Sequence, residues 1–346
     1  MNQRIFSEFC LKQLTMSRVN DSETVVVLTR GDELHEYADA FMWSAQQLGA
    51  KAYHLRLPDS PDLSGTSGVG DSGLAAVPLA VDALKAADMV IDCAGMLWSK
   101  EQVEIQSSGT RVLTVLEPMD VLARLMPTEE LRKRVEVGHR LISKASSLRI
   151  LNDWGTDVTY QLGKYPTMSQ YGFTDEPGRW DHWGTAFTFT GGSDDGVDGT
   201  IVLGPGDIIH PFDTYVQNPV KFTIESGFIR EISGLEGKSD LDADLVKAYI
   251  EDFQDPRGYG MSHVGFGLDE RARWHSMRQD AIGVETRSFY GNVMISTGPN
   301  NELGGPNDTP CHIDIPMRNC SLYLDEELVL DHGEFTVPDL RPDSRR

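Results

Sequence analysis

Cysteine is scarce, with four residues (Cys10, Cys93, Cys311 and Cys320) scattered over 346 and no CxxC pair. That excludes a disulfide scaffold and leaves reduced, buried thiols as the expectation. Positive charge is also short. Lys and Arg number 31 against 53 Asp and Glu, for a formal net charge of −22. A surface so acidic repels phosphate backbones, which argues against a nucleic-acid partner, and no basic tract is present to recruit anionic lipid. Long apolar runs are missing as well. Charges such as Asp82, Lys85 and Asp88 interrupt every stretch long enough to span a bilayer. Arg4, Glu8 and Lys12 break up the first apolar stretch, which argues against a secretory leader. No membrane role and a cytoplasmic location are the resulting expectations. Finally, Thr29-Arg30-Gly31-Asp32 does not match GxGxxG, and no P-loop, GxSxG or HExxH occurs. Dinucleotide redox chemistry and serine hydrolysis therefore lack support.

What is present is ordinary globular material, 40% hydrophobic and 24% charged, in a chain long enough for two packed units. The first half alternates between two periods. Phe6, Phe9, Cys10 and Leu14 recur at helical spacing, as do Leu34, Ala38, Phe41, Met42, Ala45 and Leu48. Between and after them lie strand-like runs: TVVVLT from Thr24, Tyr53 to Leu57, MVIDC from Met89 and RVLTVL from Arg111. Strand and helix in succession predict an α/β N-terminal domain with a largely parallel sheet, over residues 1–160. The Gly- and Ser-rich segment 59–73 reads as a loop or flap. Residues 161–346 hold many short strand-like segments and one strong helix from Leu241, which predicts an α+β domain. A cleft between the two is where a ligand is expected.

The sharpest local feature is His312-Ile313-Asp314, within CHIDIP. Residues i and i+2 of a strand project from one face, so an imidazole and a carboxylate would point into the same space. His263 stands in GYGMSHVGFGL, a stretch with no charge. It is either a satisfied core side chain or a ligand. Taken together on adjacent strands, His263, His312 and Asp314 would form a facial triad with three positions open on Fe(II). DEPGRWDHW (175–183) surrounds His182 with Trp180 and Trp183, which reads either as a structured loop or as an aromatic wall carrying a general acid/base. The loop after MVIDC brings Leu97 and Trp98 to the carboxyl end of a parallel strand, where ligands bind, although Trp98 could equally be core.

EPMDVLARLMPTEELRKRV, Gly163-Lys164-Tyr165-Pro166, YGFTDEPGRWDHW, GYGMSHVGFGL, FYGNVMISTGPN and TPCHIDIPMRNCSLYLD together resemble the 2,5-dihydroxypyridine 5,6-dioxygenases, from about residue 10 to about residue 335. These are Fe(II) ring-cleaving enzymes of bacterial nicotinate breakdown. The resemblance implies iron held by His263, His312 and Asp314, and a fold like the M29 leucine aminopeptidases with the metal on the C-terminal domain. The implied reaction cleaves the C5–C6 bond of a small hydroxylated N-heteroaromatic with O2. His182 would be the acid/base, and Leu97, Trp98, Trp180 and Trp183 would contact the substrate. A homo-oligomer, hexamer or dimer, is implied too. Where the family carries a Leu-His pair, this chain has Leu97-Trp98, so a related ring with different substituents is an open alternative. An M29-type metalloaminopeptidase is the main rival, and a binding protein without catalysis the next. Against the first, the peptidases' bridging glutamate aligns with His263 and a further histidine ligand with Met294, whose thioether suits a hydrolytic metal poorly.

Overall fold

The computed structural model describes residues 3–58, 72–235, 240–275 and 283–345. In chain order, its elements begin with α1 (Gln3–Met16), β1 (Thr24–Arg30), α2 (His35–Gln47), β2 (Lys51–Leu57), α3 (Pro78–Lys85), β3 (Met89–Asp92), α4 (Lys100–Ser107), β4 (Arg111–Thr114) and α5 (Met119–Arg124). Then come α6 (Glu129–Lys144), β5 (Ser147–Leu151), β6 (Asp157–Gln161), β7 (Met168–Gln170), β8 (Trp180–His182), β9 (Phe187–Gly191) and β10 (Val197–Leu203). Next are β11 (Ile208–Ile209), β12 (Thr214–Tyr215), β13 (Val220–Glu225), β14 (Phe228–Gly234), α7 (Leu241–Asp252) and β15 (Met261–Gly267). The series ends with α8 (Val284–Ser288), β16 (Val293–Thr297), β17 (Ile313–Met317), β18 (Ser321–Leu324), β19 (Glu327–Asp331) and β20 (Glu334–Phe335). Most of the expected flap, residues 59–71, lies outside the described residues.

The described chain folds as two compact units. The first comprises residues up to Thr128, Gln170–Thr185, and Gly283 with Val284; the second comprises Glu129–Ser169, Ala186 to residue 275, and Glu285 onward. The single crossing expected at residue 160 therefore becomes several. The physical reason is β8, which returns to the first unit and extends its sheet beside β4.

That sheet has the order β2-β1-β3-β4-β8 and every pair in it is parallel, as the strand–helix alternation predicts. Its central strands are buried on both faces because alternate side chains feed two separate cores. Val25, Val27, Met89, Ile91 and Leu113 join Phe6, Leu14 and Phe41 in one. Val26, Leu28, Val90, Val112 and Trp180 join Leu84 and Ile105 in the other. Asp92, Thr114 and His182 occupy one register row at the carboxyl ends of β3, β4 and β8.

The second unit contains an eight-stranded sheet, β14-β13-β10-β6-β5-β18-β19-β20, and a five-stranded one, β17-β16-β15-β9-β7. Helix α6 packs close against the latter through Gly138, where a Cβ would stand 2.8 Å from Thr188 Cγ2 and 3.0 Å from Phe266 Cε2. All four cysteines are buried and free of disulfides. Among the described residues, no helix is long and apolar enough to cross a membrane.

Candidate metal centre

Three neighbouring strands of the five-stranded sheet build the centre, with β16 in the middle. On one side Ser296 of β16 pairs with Asp314 of β17. On the other, Met261 pairs with Thr297 and Val264 with Ile295, so Ser262 and His263 together oppose the single residue Ser296. This is a β-bulge, a device that re-aims a side chain. The bulge leaves the His263 backbone N–H without a ladder partner, and Ser296 Oγ takes its place by accepting that bond at 2.9 Å. Gly298, with φ +95°, lets the chain leave β16 close to the backbone before His312; a Cβ there would stand 3.3 Å from His312 Cα and overlap the carbonyl of Cys311. His312 thus lies one residue before β17, not inside a strand as its motif suggests, yet still faces the same space as Asp314.

The result is convergence. Asp314 Oδ1 is 3.2 Å from His263 Nε2 and 3.2 Å from His312 Nε2. All three residues offer ligand atoms lying within 4.8 Å of one another, the one group of three such residues found among the described residues. Asp314 Oδ1 is buried, and neither imidazole meets it with hydrogen-bonding geometry. A buried carboxylate oxygen left so is costly unless something else fills its lone pairs. Bonds of about 2.1 Å meeting near right angles put ligand atoms about 3.0 Å apart, so this donor set fits a divalent cation bound on one face. Two nitrogens and one oxygen suit iron and its neighbours better than calcium or magnesium.

Electrostatics hold the carboxylate ready. Burial by itself would raise the pKa of Asp314, but His312, Arg287 and His263 outweigh it and keep the carboxyl well below the usual range. Burial works against protonation of His312, while Asp314 and Glu302 favour it, for a net upward shift. Arg287 reaches Asp314 Oδ2 at 2.9 Å, so one oxygen is anchored and the other is turned toward the imidazoles. The backbone carbonyl of Asp314 accepts the His210 N–H at 2.9 Å. Phe187 and Phe189 stack on each other, with Phe189 5.3 Å from the His263 ring, and supply an apolar flank.

Arg287, Ser296 and the two phenylalanines were not singled out from sequence. Phe187 and Phe189 did carry a signal, two aromatics spaced i and i+2 in TAFTFT. Ser296 and Arg287 carried none, because their roles depend on partners in other strands.

The remaining candidates belong to the first unit. His182 is buried at the end of β8. Its backbone N–H donates to Asp181 Oδ1 at 2.8 Å, and its carbonyl accepts from Thr185 Oγ1 at 2.6 Å. Leu97 and Trp98 are partly exposed in the loop after β3, and Trp98 packs on Trp180 with ring centres 4.6 Å apart. Trp183 is placed differently from expectation. Strand alternation sends it to the opposite side of the sheet from Trp180, where it is fully buried with Phe6 and Phe41. It is core, not part of an aromatic wall.

The family model described as 2,5-dihydroxypyridine 5,6-dioxygenase (NicX) matches residues 5–337. A protein of that name from Pseudomonas putida is 42% identical over 335 residues, covering 94% of each chain. The solved 2,5-dihydroxypyridine dioxygenase of Pseudomonas putida KT2440 superposes with a TM-score of 0.94 at 39% identity, over 99% of this chain and 100% of that one. AmpT from Thermus thermophilus matches with a TM-score of 0.59 at 11% identity, over 96% of this chain and 100% of its own, which places the fold in the M29 type. With its bulge-set histidine, its His-x-Asp pair and these similarities, the chain belongs to the 2,5-dihydroxypyridine 5,6-dioxygenase family.

Proposed function

We propose that the chain is a ferrous ring-cleaving dioxygenase that opens the C5–C6 bond of 2,5-dihydroxypyridine, or of a closely related hydroxylated N-heteroaromatic, with both atoms of O2. The product of the parent substrate would be N-formylmaleamate, in which the atoms of substrate and O2 are all retained. The observation that carries this reading is the convergence of His263 Nε2, His312 Nε2 and Asp314 Oδ1 within a chain of this family. Bound by these atoms, ferrous iron would supply open coordination positions and a path by which electrons of the ring hydroxylate reach O2, with no net change in the iron.

The residues themselves do the rest. Asp314, ionised and held by Arg287, contributes the single negative charge among the three ligands. Phe187 and Phe189 keep water from one flank of His263. His182 accepts the proton of the 5-hydroxyl at its imidazole and later returns one. Leu97, Trp98 and Trp180 offer apolar and stacking surface to the flat ring. Self-association and a cytoplasmic location complete the proposal.

A two-metal aminopeptidase gains nothing from the site. Met294, buried on β16 beside the ligand-bearing strands, brings a thioether where a hydrolytic centre needs a hard donor. The deciding experiment loads the protein with Fe(II) without air, then adds 2,5-dihydroxypyridine and labelled O2. Two labelled oxygens per ring-opened product are expected; one or none sinks the reading.

A further inference from the structure

Asp92 is the last residue of β3, fully buried, and none of the roles above uses it. Its carboxylate is an acceptor on every side. Oδ1 takes the backbone N–H of Ala94 at 3.0 Å and of Gly95 at 2.9 Å. Oδ2 takes the N–H of Met96 at 2.9 Å and the hydroxyl of Thr114 at 3.2 Å. Three successive N–H groups folded around one carboxylate fix the start of the loop that carries Leu97 and Trp98. The loop needs such fixing, because Trp98 stands at φ +60°, a left-handed conformation unusual for a bulky residue.

The same carboxylate governs the second indole. Thr114 spends its own proton on Asp92 and so presents its oxygen to the Nε1–H of Trp180 at 2.9 Å. A second chain of bonds ties the two sides together. The Trp98 N–H donates to Gln102 Oε1 at 2.9 Å, Gln102 Nε2 to Gln106 Oε1 at 3.1 Å, and Gln106 Nε2 to the carbonyl of Gly178 at 3.0 Å, two residues before Trp180. The tilted pair, 4.6 Å between ring centres and 53° between planes, is thus set from both ends.

We infer that Asp92 is a positioning residue for ring recognition, holding Trp98 through its loop and Trp180 through Thr114 as one aromatic platform. This rests on the reading that Leu97, Trp98 and Trp180 meet the substrate ring. None of the bonds made by the Asp92 carboxylate goes to a metal ligand, so its loss acts on ring binding and leaves metal content alone.

The test is Asp92→Asn in the iron-loaded enzyme. An amide keeps the size but turns an N–H2 toward donors it cannot accept from, either Met96 N–H or Ala94 and Gly95. KM for 2,5-dihydroxypyridine should rise about tenfold with kcat within about twofold, the loss of ground-state binding that one misplaced contact gives. Iron per chain should stay at the parental value. The exciton couplet of the two indoles in circular dichroism, assigned by its loss in Trp98→Phe, should collapse. Thr114→Val, which removes the hydroxyl between Asp92 and Trp180 but leaves the three loop N–H bonds to Asp92, should weaken the couplet and raise KM less, and Thr114→Ser should restore both. It also serves as the independent variant should Asp92→Asn not fold. If Trp98→Ala raises KM while Asp92→Asn and Thr114→Val leave KM and couplet at parental values, the positioning role is overturned and the wall survives. If the couplet collapses in Asp92→Asn but neither that variant nor Trp98→Ala moves KM, the wall itself falls and the role of Asp92 in recognition falls with it.

Discussion

Ser296→Ala isolates the geometry of the metal centre from its charge. Ser296 is fully buried, and its hydroxyl accepts the His263 N–H at 2.9 Å where the bulge has removed the ladder partner. Truncation orphans a buried backbone donor, at a cost of about 1–3 kcal/mol to folding. No ligand atom and no charge is altered, so a change in metal affinity reports only the aim of the imidazole. Loss of a group that orients a metal ligand weakens binding about 10–100-fold, equivalent to about 1.4–2.7 kcal/mol. Anaerobic competition between the protein and a chromogenic Fe(II) chelator measures that shift, and denaturant unfolding of the metal-free protein measures the folding cost. Ile295→Val supplies the control: it removes one buried methylene from the next residue of β16, costs about 0.5–1.5 kcal/mol, and faces away from the ligands. Ser296→Thr, which keeps an oxygen at the same branch point, should recover most of the affinity. A Ser296→Ala protein that is destabilised yet holds iron as tightly as the parent, like the Ile295 control, would refute the claim that the bulge aims His263.

Other perturbations read other parts of the structure. His312→Ala should lose iron and turnover together, whereas His182→Ala should keep iron and lose turnover by about 10²–10⁴-fold, as removal of a general acid/base does; metal analysis beside oxygen uptake separates the two. Gly138→Ala should destabilise by about 1–3 kcal/mol through overpacking against Thr188 and Phe266, despite a better helix former, and calorimetry would show it. Asp255 is pulled down to a pKa of about 2, first by its bond to Arg257 and further by Thr309 and the Arg257 N–H, against an opposing contribution from burial. Its folded value is below the unfolded one, so the unfolded chain takes up the proton first as pH falls. The stabilisation is present above about pH 4 and fades toward pH 2. The deficit of Asp255→Asn relative to the parent should therefore shrink across that window in urea titrations; a constant deficit would contradict the assignment.

How much of this was legible beforehand depends on whether a feature is local. The parallel sheet was, because runs such as TVVVLT bury both faces and the helices between them carry their own stripe. His312 and Asp314 were, because two residues in an extended segment share a side whatever they pair with. The aim of His263 was not. A bulge exists only relative to the strand opposite, and nothing in GYGMSHVGFGL marks where Ser262 and His263 will face one residue in place of two. Arg287 is likewise invisible until β17 lies beside the segment that carries it. Trp183 shows the opposite error: aromatic density in WDHW suggested one wall, but successive strand residues alternate sides, so Trp180 and Trp183 go to different cores. The division of the chain was hidden for the same reason as the bulge, since composition says nothing of a short strand that returns to pair with β4.

The similarity in fold to AmpT at 11% identity says that few particular residues are needed to build this architecture. What the chemistry needs is narrower: which residue type stands at a handful of strand positions around β16. Met294 and Ser296 lie two residues apart on that central strand and so project from one side. One brings a thioether and the other a hydroxyl already committed to the His263 backbone. Neither adds a hard ligand to the three that converge. A metal held here would take two nitrogens and one oxygen from the protein and keep coordination positions over, an arrangement set by adjacent strands together with the bulge at His263 and the residue just before β17.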